Sequence, residues 1–460
     1  MRSAFVSQIF ISPVETVLVL ALCAYIVWTG RSYLAVGIYL SMTLWTRIVF
    51  VGPVVHTYVL LGTMYAAALV DLYRQKKIPV LPPRYRGIVL WMVLWWTWIL
   101  LLILLFQPTD QRSILRSLIL YLMAPLPIIL TFGHDLRRIK GFTLAYVATT
   151  LVGGWQALQM LNIPLSYLPG DPALTQRGVV TLGIPNYHWV GYMFAIALIL
   201  TITLYLSSRR NMLKLVLLIA TATCCAYFLL LAGSRQSVNG AVAVSLLLLA
   251  WAILRKGVPK LRVMLLAGIV GFVSISLYLT APQLIVRENE TGLFDAINIL
   301  SDRGNLWRIG WENYLSSPIW GTGFKYTKFS HNIFISTLAD QGIVGIVFFA
   351  GFLLFMIWQT RGIFTNNGPG EYAIWRIGFL GIVLFGLIHG QASGTVFSTW
   401  HLFWATAFLW WLSWQSEQAS ESTLPVATDE LQGRRSIGVW QQREHSLWQQ
   451  SQRRDVSPTL

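Results

Sequence analysis

Long apolar runs alternate with short polar segments along most of the sequence. Most of these runs hold about 17 to 25 residues, enough for a helix to cross about 30 Å of hydrocarbon. The pattern predicts spans at residues 13–29, 32–51, 54–73, 87–106, 113–131, 141–160, 188–207, 212–232, 236–254, 261–281, 333–358, 375–391 and 399–414. The predicted fold class is therefore all-α, a polytopic integral membrane protein with about 12–13 transmembrane helices. A large outer loop is expected to contain short amphipathic helices.

Positive charge concentrates in four short connectors between the predicted spans. The connectors are residues 74–86, 134–140, 207–214 and 255–262. They hold 15 of the 34 Lys and Arg residues but a single acid, Asp135. Cytoplasmic loops of membrane proteins carry such an excess, so all four are predicted to face the cytoplasm. This orientation leaves residues 161–187 and 282–330 as outer loops.

The composition agrees with a membrane protein, because 55% of the residues are hydrophobic and only 11% are charged. A soluble domain would carry about 25% charged residues. The net charge of +16 follows from the connectors, so nucleic acid is not an expected partner. Cys23 and the Cys224–Cys225 pair lie in apolar runs, which favours neither a disulfide framework nor a thiolate metal site. The predicted organisation is a transmembrane domain over 1–414 and a polar cytoplasmic tail of low order over 415–460.

Arginines on the predicted outer side need an explanation, because cationic residues are disfavoured there. Arg235 lies in a turn of a few residues between two spans, and Arg177 lies in the first outer loop. Arg303 lies in the second outer loop. Taken singly, each has a structural interpretation, as an anchor at the lipid interface for Arg235 or as a partner in a loop salt bridge for the others.

The sequence that follows Arg303 predicts a short amphipathic helix at the outer interface. Arg303, Trp307, Trp311 and Tyr314 recur at helical spacing. We expect Ser301 to cap the start of this helix, and Pro318 with Gly321 and Gly323 to end it. The two tryptophans are suited to stacking on sugar rings, although interfacial packing is the alternative.

His331 precedes the predicted span 333–358 at its outer end. At 100° per residue, His331, Ile335, Leu338, Gly342 and Gly345 would share one helix face. Glycines on that face predict the close approach of a neighbouring helix. His331 is then either a neutral ring held by the backbone at a helix end or a base exposed to the outer surface.

Outer arginines beside a neutral imidazole suit glycosyl transfer from a lipid-linked sugar pyrophosphate. Guanidinium groups bind such an anion bidentately, and a pyrophosphate leaving group needs charge stabilisation more than a general acid. The acceptor is a sugar hydroxyl, which attacks better when a base with a pKa near 6.5 takes its proton. This division of roles requires no metal and no cofactor.

At these residues the chain resembles the O-antigen ligase and O-antigen polymerase (Wzy-like) superfamily of bacterial envelope glycosyltransferases, over roughly residues 15–414. The matching residues are Ser234 and Arg235 in "GSRQS"; Arg303, Trp307, Pro318, Gly321 and Gly323 in "RGNLWRIGWENYLSSPIWGTGF"; and His331, Asn332, Gly342 and Gly345 in "HNIFISTLADQGIVG". The stretch "GVVTLGIPNYHWVGY" is similar to a Pro-Asn element, with Arg177 upstream. Asp340 departs from the family pattern, which usually has a glutamate there.

The resemblance implies an inverting transfer from an undecaprenyl-pyrophosphate-linked glycan donor, without a metal or a nucleotide sugar. It implies His331 as the general base and Arg235 and Arg303 as catalytic residues that bind the pyrophosphate. The candidates for substrate binding are Arg177, Trp307, Trp311 and Asn332. The implied acceptor is another glycan or lipid A-core, and polysaccharide-assembly proteins are possible partners. The implied location is the bacterial cytoplasmic (inner) membrane, with the site facing the periplasm.

Two other classes of function remain open at this level. A metal-dependent glycosyltransferase that uses a polyprenyl-monophosphate sugar would need an acidic pair in an early outer loop, and the turn at 51–57 contains no acid. A flippase for lipid-linked oligosaccharides would need charged groups along a central path, and the spans offer few beyond Asp71 and Asp340. Within the superfamily, the motifs do not separate ligases from polymerases. Capsule or exopolysaccharide polymerases and protein O-glycan ligases also stay open.

Overall fold

The computed structural model describes residues 13–41, 53–76, 82–108, 111–160, 187–208, 211–232, 234–255, 259–268, 271, 293–324, 330, 332–365, 370–393 and 399–423. Within these ranges every regular element is a helix, which confirms the predicted all-α class. The helices are α1 (Pro13–Thr29), α2 (Ser32–Ser41), α3 (Pro53–Gln75), α4 (Pro83–Phe106), α5 (Gln111–Ser117), a π-helical stretch (Leu118–Met123), α6 (Pro125–Phe132), α7 (Leu136–Met160), α8 (Tyr187–Ser207), α9 (Met212–Leu231), α10 (Arg235–Leu254), α11 (Leu293–Ser316), α12 (Ile333–Thr365), α13 (Gly370–Ser393) and α14 (His401–Thr423). Residues 260–268 form a further helical stretch.

Seven segments among the described residues are long and apolar enough to cross a membrane. They are Pro83–Phe106, Ile114–Phe132, Val190–Ser207, Met212–Leu231, Gln236–Leu254, Ile333–Thr360 and Gly370–Gln391. The chain is therefore a multi-pass membrane protein. The total of about 12–13 crossings stays a prediction, because parts of the predicted spans 32–51 and 261–281 lie outside the described residues.

Ion pairs join several helix ends at the face that the sequence predicts to be cytoplasmic. The pairs are Arg138 with Asp71, Arg84 with Glu417, and Lys140 with Glu371. They connect α7 to α3, α4 to α14, and α7 to α13, so these helix ends lie on one face. Such pairs give long charged side chains a partner where helices leave the membrane.

The helix α14 extends further than the sequence predicts. It continues to Thr423, nine residues past the predicted boundary at 414, and Ser416 and Glu417 contact Arg376 and Arg84. The first part of the region predicted to be a tail of low order is therefore helical and packed. The remainder of that tail, from residue 424, lies outside the described residues.

The centre of the bundle is formed by α8, α13 and α14. Residues 190–207 of α8 and 370–391 of α13 are buried over most of their length, as is α14 from His401 to Ser413. Small residues on α13 let its neighbours approach, since a Cβ on Gly381 would lie 2.7 Å from Val244 of α10. Glycine packs closely on α12 as well, where a Cβ on Gly351 would lie 2.5 Å from Trp91 of α4.

The predicted span 333–358 corresponds to α12, but this helix is broken at Gly342. Its φ of 66° and ψ of −164° are non-helical, so α12 consists of a first half over 333–341 and a longer second half. Residues on the two sides of the break no longer follow a single 100° register. The predicted face that joins His331 to Gly342 and Gly345 is therefore wrong, because it assumes a continuous helix.

A turn formed by Pro318–Gly323, which we call the inserted turn, occupies the break. Its backbone hydrogen bonds are from Ile343 N to Pro318 O (2.8 Å), from Thr322 N to Ala339 O (2.8 Å) and from Gly323 N to Asp340 O (2.9 Å). A helix broken within a membrane must find new partners for the peptide groups that it frees. The inserted turn supplies these partners, so the break and the turn form one unit.

Glycines make this contact possible on both sides. Gly321 has a φ of +71°, and a Cβ on it would overlap the backbone of Gln341. A Cβ on Gly342 would overlap the carbonyl group of Ile319. The helix α4 also contacts the break, where the Trp95 indole donates to the side-chain Oε1 of Gln341 at 2.7 Å.

The helix α11 precedes the inserted turn and ends at Ser316, as the sequence predicts. It begins at Leu293, however, so Ser301 lies inside the helix and does not cap its start. The pattern at 303–314 identified only the second half, because the residues before Ser301 do not repeat the Arg and Trp spacing.

Candidate functional site

The turn that contains Arg235 is held by serines. Ser234 is fully buried and caps α10, accepting a hydrogen bond from the backbone N–H of Ser237. The two hydroxyl oxygens lie 2.8 Å apart. Gly191 of α8 packs against this pair, where a Cβ would lie 2.7 Å from Ser234. Arg235 is therefore the first residue of α10 at a fixed position, and its side chain is outside the described residues.

The start of α12 is fixed just as closely. Asn332 Oδ1 accepts hydrogen bonds from the backbone N–H groups of Phe334 (2.9 Å) and Ile335 (3.2 Å), which is the bonding of a helix N-cap. Ser330 contributes a hydroxyl contact of 2.6 Å to Ser336, one turn into the helix. His331 lies outside the described residues, but both of its chain neighbours bind the first turn of α12.

The start of α10 and the start of α12 meet at the last turn of α13, His389–Gln391, which we call the α13 end. The Gln236 amide of α10 donates to the backbone carbonyl of His389. The Asn332 amide donates to Gln391 Oε1 at 2.9 Å. The Ser-Arg turn and the His-Asn segment, predicted from sequence as two separate motifs, are thus attached to the same turn.

The helix α11 packs against the start of α12 through Gly310. A Cβ on Gly310 would lie 2.6 Å from Ile335 and 3.2 Å from Ser330. Arg303 lies seven residues earlier, so its backbone is on the same face of α11 and about 10 Å further along the axis. Its side chain is outside the described residues.

The two candidate sugar-stacking tryptophans have different environments. Trp307 is partly buried, and its indole N–H has no hydrogen-bond partner among the described residues. Trp311 is 50% exposed, and its ring lies 5.1 Å from that of Tyr314. The remaining candidate, Arg177, lies outside the described residues together with Pro185 and Asn186.

A comparison with protein-family models matches residues 220–350 to the O-antigen ligases. Over these residues, fewer than a third of the chain, the protein is similar to the O-antigen ligase family. The matched segment contains α10, α11, the inserted turn and the first half of α12, so it includes Arg235, Arg303 and His331. A comparison with curated proteins finds no match.

The family assignment of this O-antigen ligase segment confirms the resemblance found in the motifs. It implies a glycosyltransferase-like ligase or polymerase activity, with a lipid-linked glycan as donor and a polysaccharide as acceptor. The segment ends eight residues after Gly342, so the α13 end lies beyond it, although the α13 end binds both of its motif-bearing helix starts.

The sequence did not single out the α13 end or the aromatic cluster beside it. Tyr192 of α8 lies between the two imidazoles of His389 and His401, with 4.5 Å from its ring centroid to each. His401 Nε2 is 3.5 Å from the hydroxyl of Tyr146. The only local signal was the polar "HGQ" at the end of an otherwise apolar span, which gives no indication of its partners.

The described residues include no group of three or more His, Cys, Asp and Glu side chains that could hold a metal ion. Asn332, predicted to bind substrate, uses its carbonyl oxygen for the cap and one amide hydrogen for Gln391. Asn332 therefore has a structural role, because its side chain caps α12 and binds α13.

Proposed function

We propose that this protein is a metal-independent, inverting glycosyltransferase of the O-antigen ligase or polymerase type. It transfers glycan from an undecaprenyl-pyrophosphate-linked donor to a sugar hydroxyl at the outer, periplasmic face of the bacterial cytoplasmic membrane. The observation that carries the proposal is the attachment of the α10 and α12 starts to the α13 end. This attachment brings the start of α10, at Arg235, and Asn332, the chain neighbour of His331, to one end of the bundle.

The proposed role of the arginines is to bind the pyrophosphate. Arg235 is the first residue of a 20-residue helix, where free backbone N–H groups and the helix dipole favour an anion. Arg303, on the face of α11 that packs against α12, supplies a second guanidinium. Two forked cations match the oxygens of a pyrophosphate and stabilise the charge that develops as it leaves.

The proposed role of His331 is that of a general base. Its imidazole takes the proton from the acceptor hydroxyl while the hydroxyl oxygen forms a bond to the anomeric carbon. The bond from that carbon to the pyrophosphate oxygen breaks, and the electron pair leaves with the pyrophosphate. Attack from the opposite side inverts the anomeric centre, and the proton passes from the imidazole to water.

Replacing Arg235 with alanine is expected to weaken donor binding about 10- to 100-fold, the range for a lost charge-assisted hydrogen bond. Arg235→Lys should restore little of it, because an ammonium group cannot replace the planar fork. Binding of the purified donor to protein in lipid nanodiscs measures this. Arg308→Ala is the matched control, since Arg308 is exposed on α11 and contacts Glu312 at 3.6 Å. Unchanged donor affinity in Arg235→Ala would rule out the role.

A chelator is expected to leave the transfer rate unchanged in a purified system, because the proposed base and cations are all side chains. The measurement is the initial rate with donor and acceptor in vesicles, with excess chelator and then with added divalent metal. Loss of transfer with the chelator and its return with the metal would favour the metal-dependent class instead.

Ligase and polymerase activities differ in their products in a deletion strain. A missing ligase leaves the acceptor without polymer while long lipid-linked chains accumulate. A missing polymerase leaves single repeats on the acceptor. The length distribution of surface and lipid-linked glycan therefore decides between them.

A further inference from the structure

The α13 end is built to hold the start of α12 at close range. Gly390 has no side chain, and a Cβ there would lie 3.3 Å from Ile333, the first residue of α12, and 3.3 Å from Thr399. This close approach brings the side chain of Gln391 within 2.9 Å of Asn332.

The orientations of the Asn332 and Gln391 side-chain amides follow from their hydrogen-bond partners. Asn332 faces two backbone N–H groups, which only its carbonyl oxygen can accept. Its NH₂ group must therefore point the other way, toward Gln391, and Gln391 must present its own carbonyl oxygen. A residue without an acceptor at position 391 would leave this bond unmade while the cap of α12 stayed intact.

We infer that Gln391 is a positioning residue for the transfer reaction, acting on His331 through Asn332. This inference rests on the proposed role of His331 as the base. Asn332 is the chain neighbour of His331, so a bond that fixes Asn332 also restricts where the imidazole can lie.

The break at Gly342 gives contacts at the start of α12 a larger part in positioning it. The first half of α12 has only nine residues, and the non-helical backbone at Gly342 separates it from the long second half. The second half therefore cannot set the position of the first half as a rigid rod. The inserted turn holds the end of the first half at the break. Contacts at the start of α12 hold its other end, and Gln391 provides one that is side chain to side chain.

Gln236 attaches the start of α10 to the α13 end in a similar way. Its amide binds the backbone carbonyl of His389, two residues before Gln391. The α13 end thus determines the separation of the chain segments that carry Arg235 and His331. A displacement of about 1 Å at a catalytic group can cost about 100-fold in rate, so a shared anchor matters for transfer.

The test compares Gln391→Met with Gln391→Glu in purified protein reconstituted with donor and acceptor. Methionine keeps the length of the side chain but has no carbonyl oxygen, and we expect kcat to fall about tenfold with an unchanged donor KM. Glutamate keeps an oxygen that can accept from Asn332, so it should restore most of kcat. Gln75→Met, which removes a glutamine bond to Asp71 at the other end of the bundle, is the matched control.

A second variant tests the same bond from its other side. Asn332→Ser keeps a hydroxyl that can cap α12 but removes the donor to Gln391. We expect kcat to fall as in Gln391→Met, and the double variant to be no slower than either single one. This variant also provides the test if Gln391→Met fails to accumulate.

The outcomes separate the inference from the proposed function. If His331→Ala abolishes transfer but both Gln391→Met and Asn332→Ser keep the wild-type kcat, the positioning role alone is overturned. An equal loss in Gln391→Met and Gln391→Glu also overturns it, because packing would then explain the effect. If His331→Ala transfers glycan normally, the proposed function itself fails.

Discussion

Replacing His331 with alanine is expected to abolish glycan transfer while the protein still inserts and accumulates. A positioned general base contributes about 10²- to 10⁴-fold to a rate. At neutral pH, water is a much weaker base than imidazole and cannot replace it in taking the proton of the acceptor hydroxyl. The cap of α12 uses Asn332 and not His331, so the helix start should survive the change. Surface polysaccharide in a complemented deletion strain and initial rates in vesicles measure the loss.

The matched control for this variant is His134→Ala. His134 lies between α6 and α7 at the face that the sequence predicts to be cytoplasmic, with its ring 5.7 Å from that of Trp411. Burial, with a further contribution from Arg138, lowers the pKa of His134, so its replacement removes a neutral ring. Transfer by His134→Ala should stay near the wild-type rate. Normal transfer by His331→Ala would exclude the base assignment.

The spans were predictable because their signal is local. An apolar run of sufficient length has one stable solution in lipid, so α8 and α9 begin and end within a residue of their predicted bounds. The charged helix ends were less predictable. α7 and α13 start five residues earlier than their apolar runs, and Lys140 and Glu371 form an ion pair between the two added turns. Such a pair is a tertiary contact, which no window of sequence contains.

The candidate site was predictable only in part for the same reason. The motifs at Arg235 and His331 are local patterns, and their predicted outer location follows from the charge of the connectors. Their attachment to the α13 end depends on bonds between residues 153 and 59 positions apart. Glutamines such as Gln236 and Gln391 give no sign in the sequence of which backbone or side chain they will meet.

The break in α12 was not predicted, because the sequence pattern indicates a continuous helix there. "ADQGIVG" reads as an unbroken helix because glycine costs only about 1 kcal/mol in a helix interior. The inserted turn favours the break instead, because it forms three backbone hydrogen bonds to Ala339, Asp340 and Ile343, on the two sides of Gly342. The paired glycines at 321 and 323 belong to this contact, and their role is clear only once the two segments are seen together.

Gly342→Ala is therefore expected to cause the largest structural loss among single substitutions in this region. The φ of 66° and ψ of −164° lie in a region that is almost restricted to glycine, and a side chain there costs about 1–3 kcal/mol in strain alone. The added Cβ would also overlap the carbonyl of Ile319, so the inserted turn would have to move away. Thermal unfolding in detergent should then occur at a clearly lower temperature, and transfer should fall with it.

The comparison that isolates this cause is Gly87→Ala on α4. Gly87 lies within a helix, and a Cβ there would meet nothing within 4 Å, so this variant should unfold at or above the wild-type temperature. Gly321→Ala should resemble Gly342→Ala, because it removes the partner surface of the same contact. If Gly342→Ala unfolds like wild type, α12 tolerates a continuous helix at this point. The first half of α12 would then be rigidly joined to the second, and the need for a separate anchor at the α13 end would disappear.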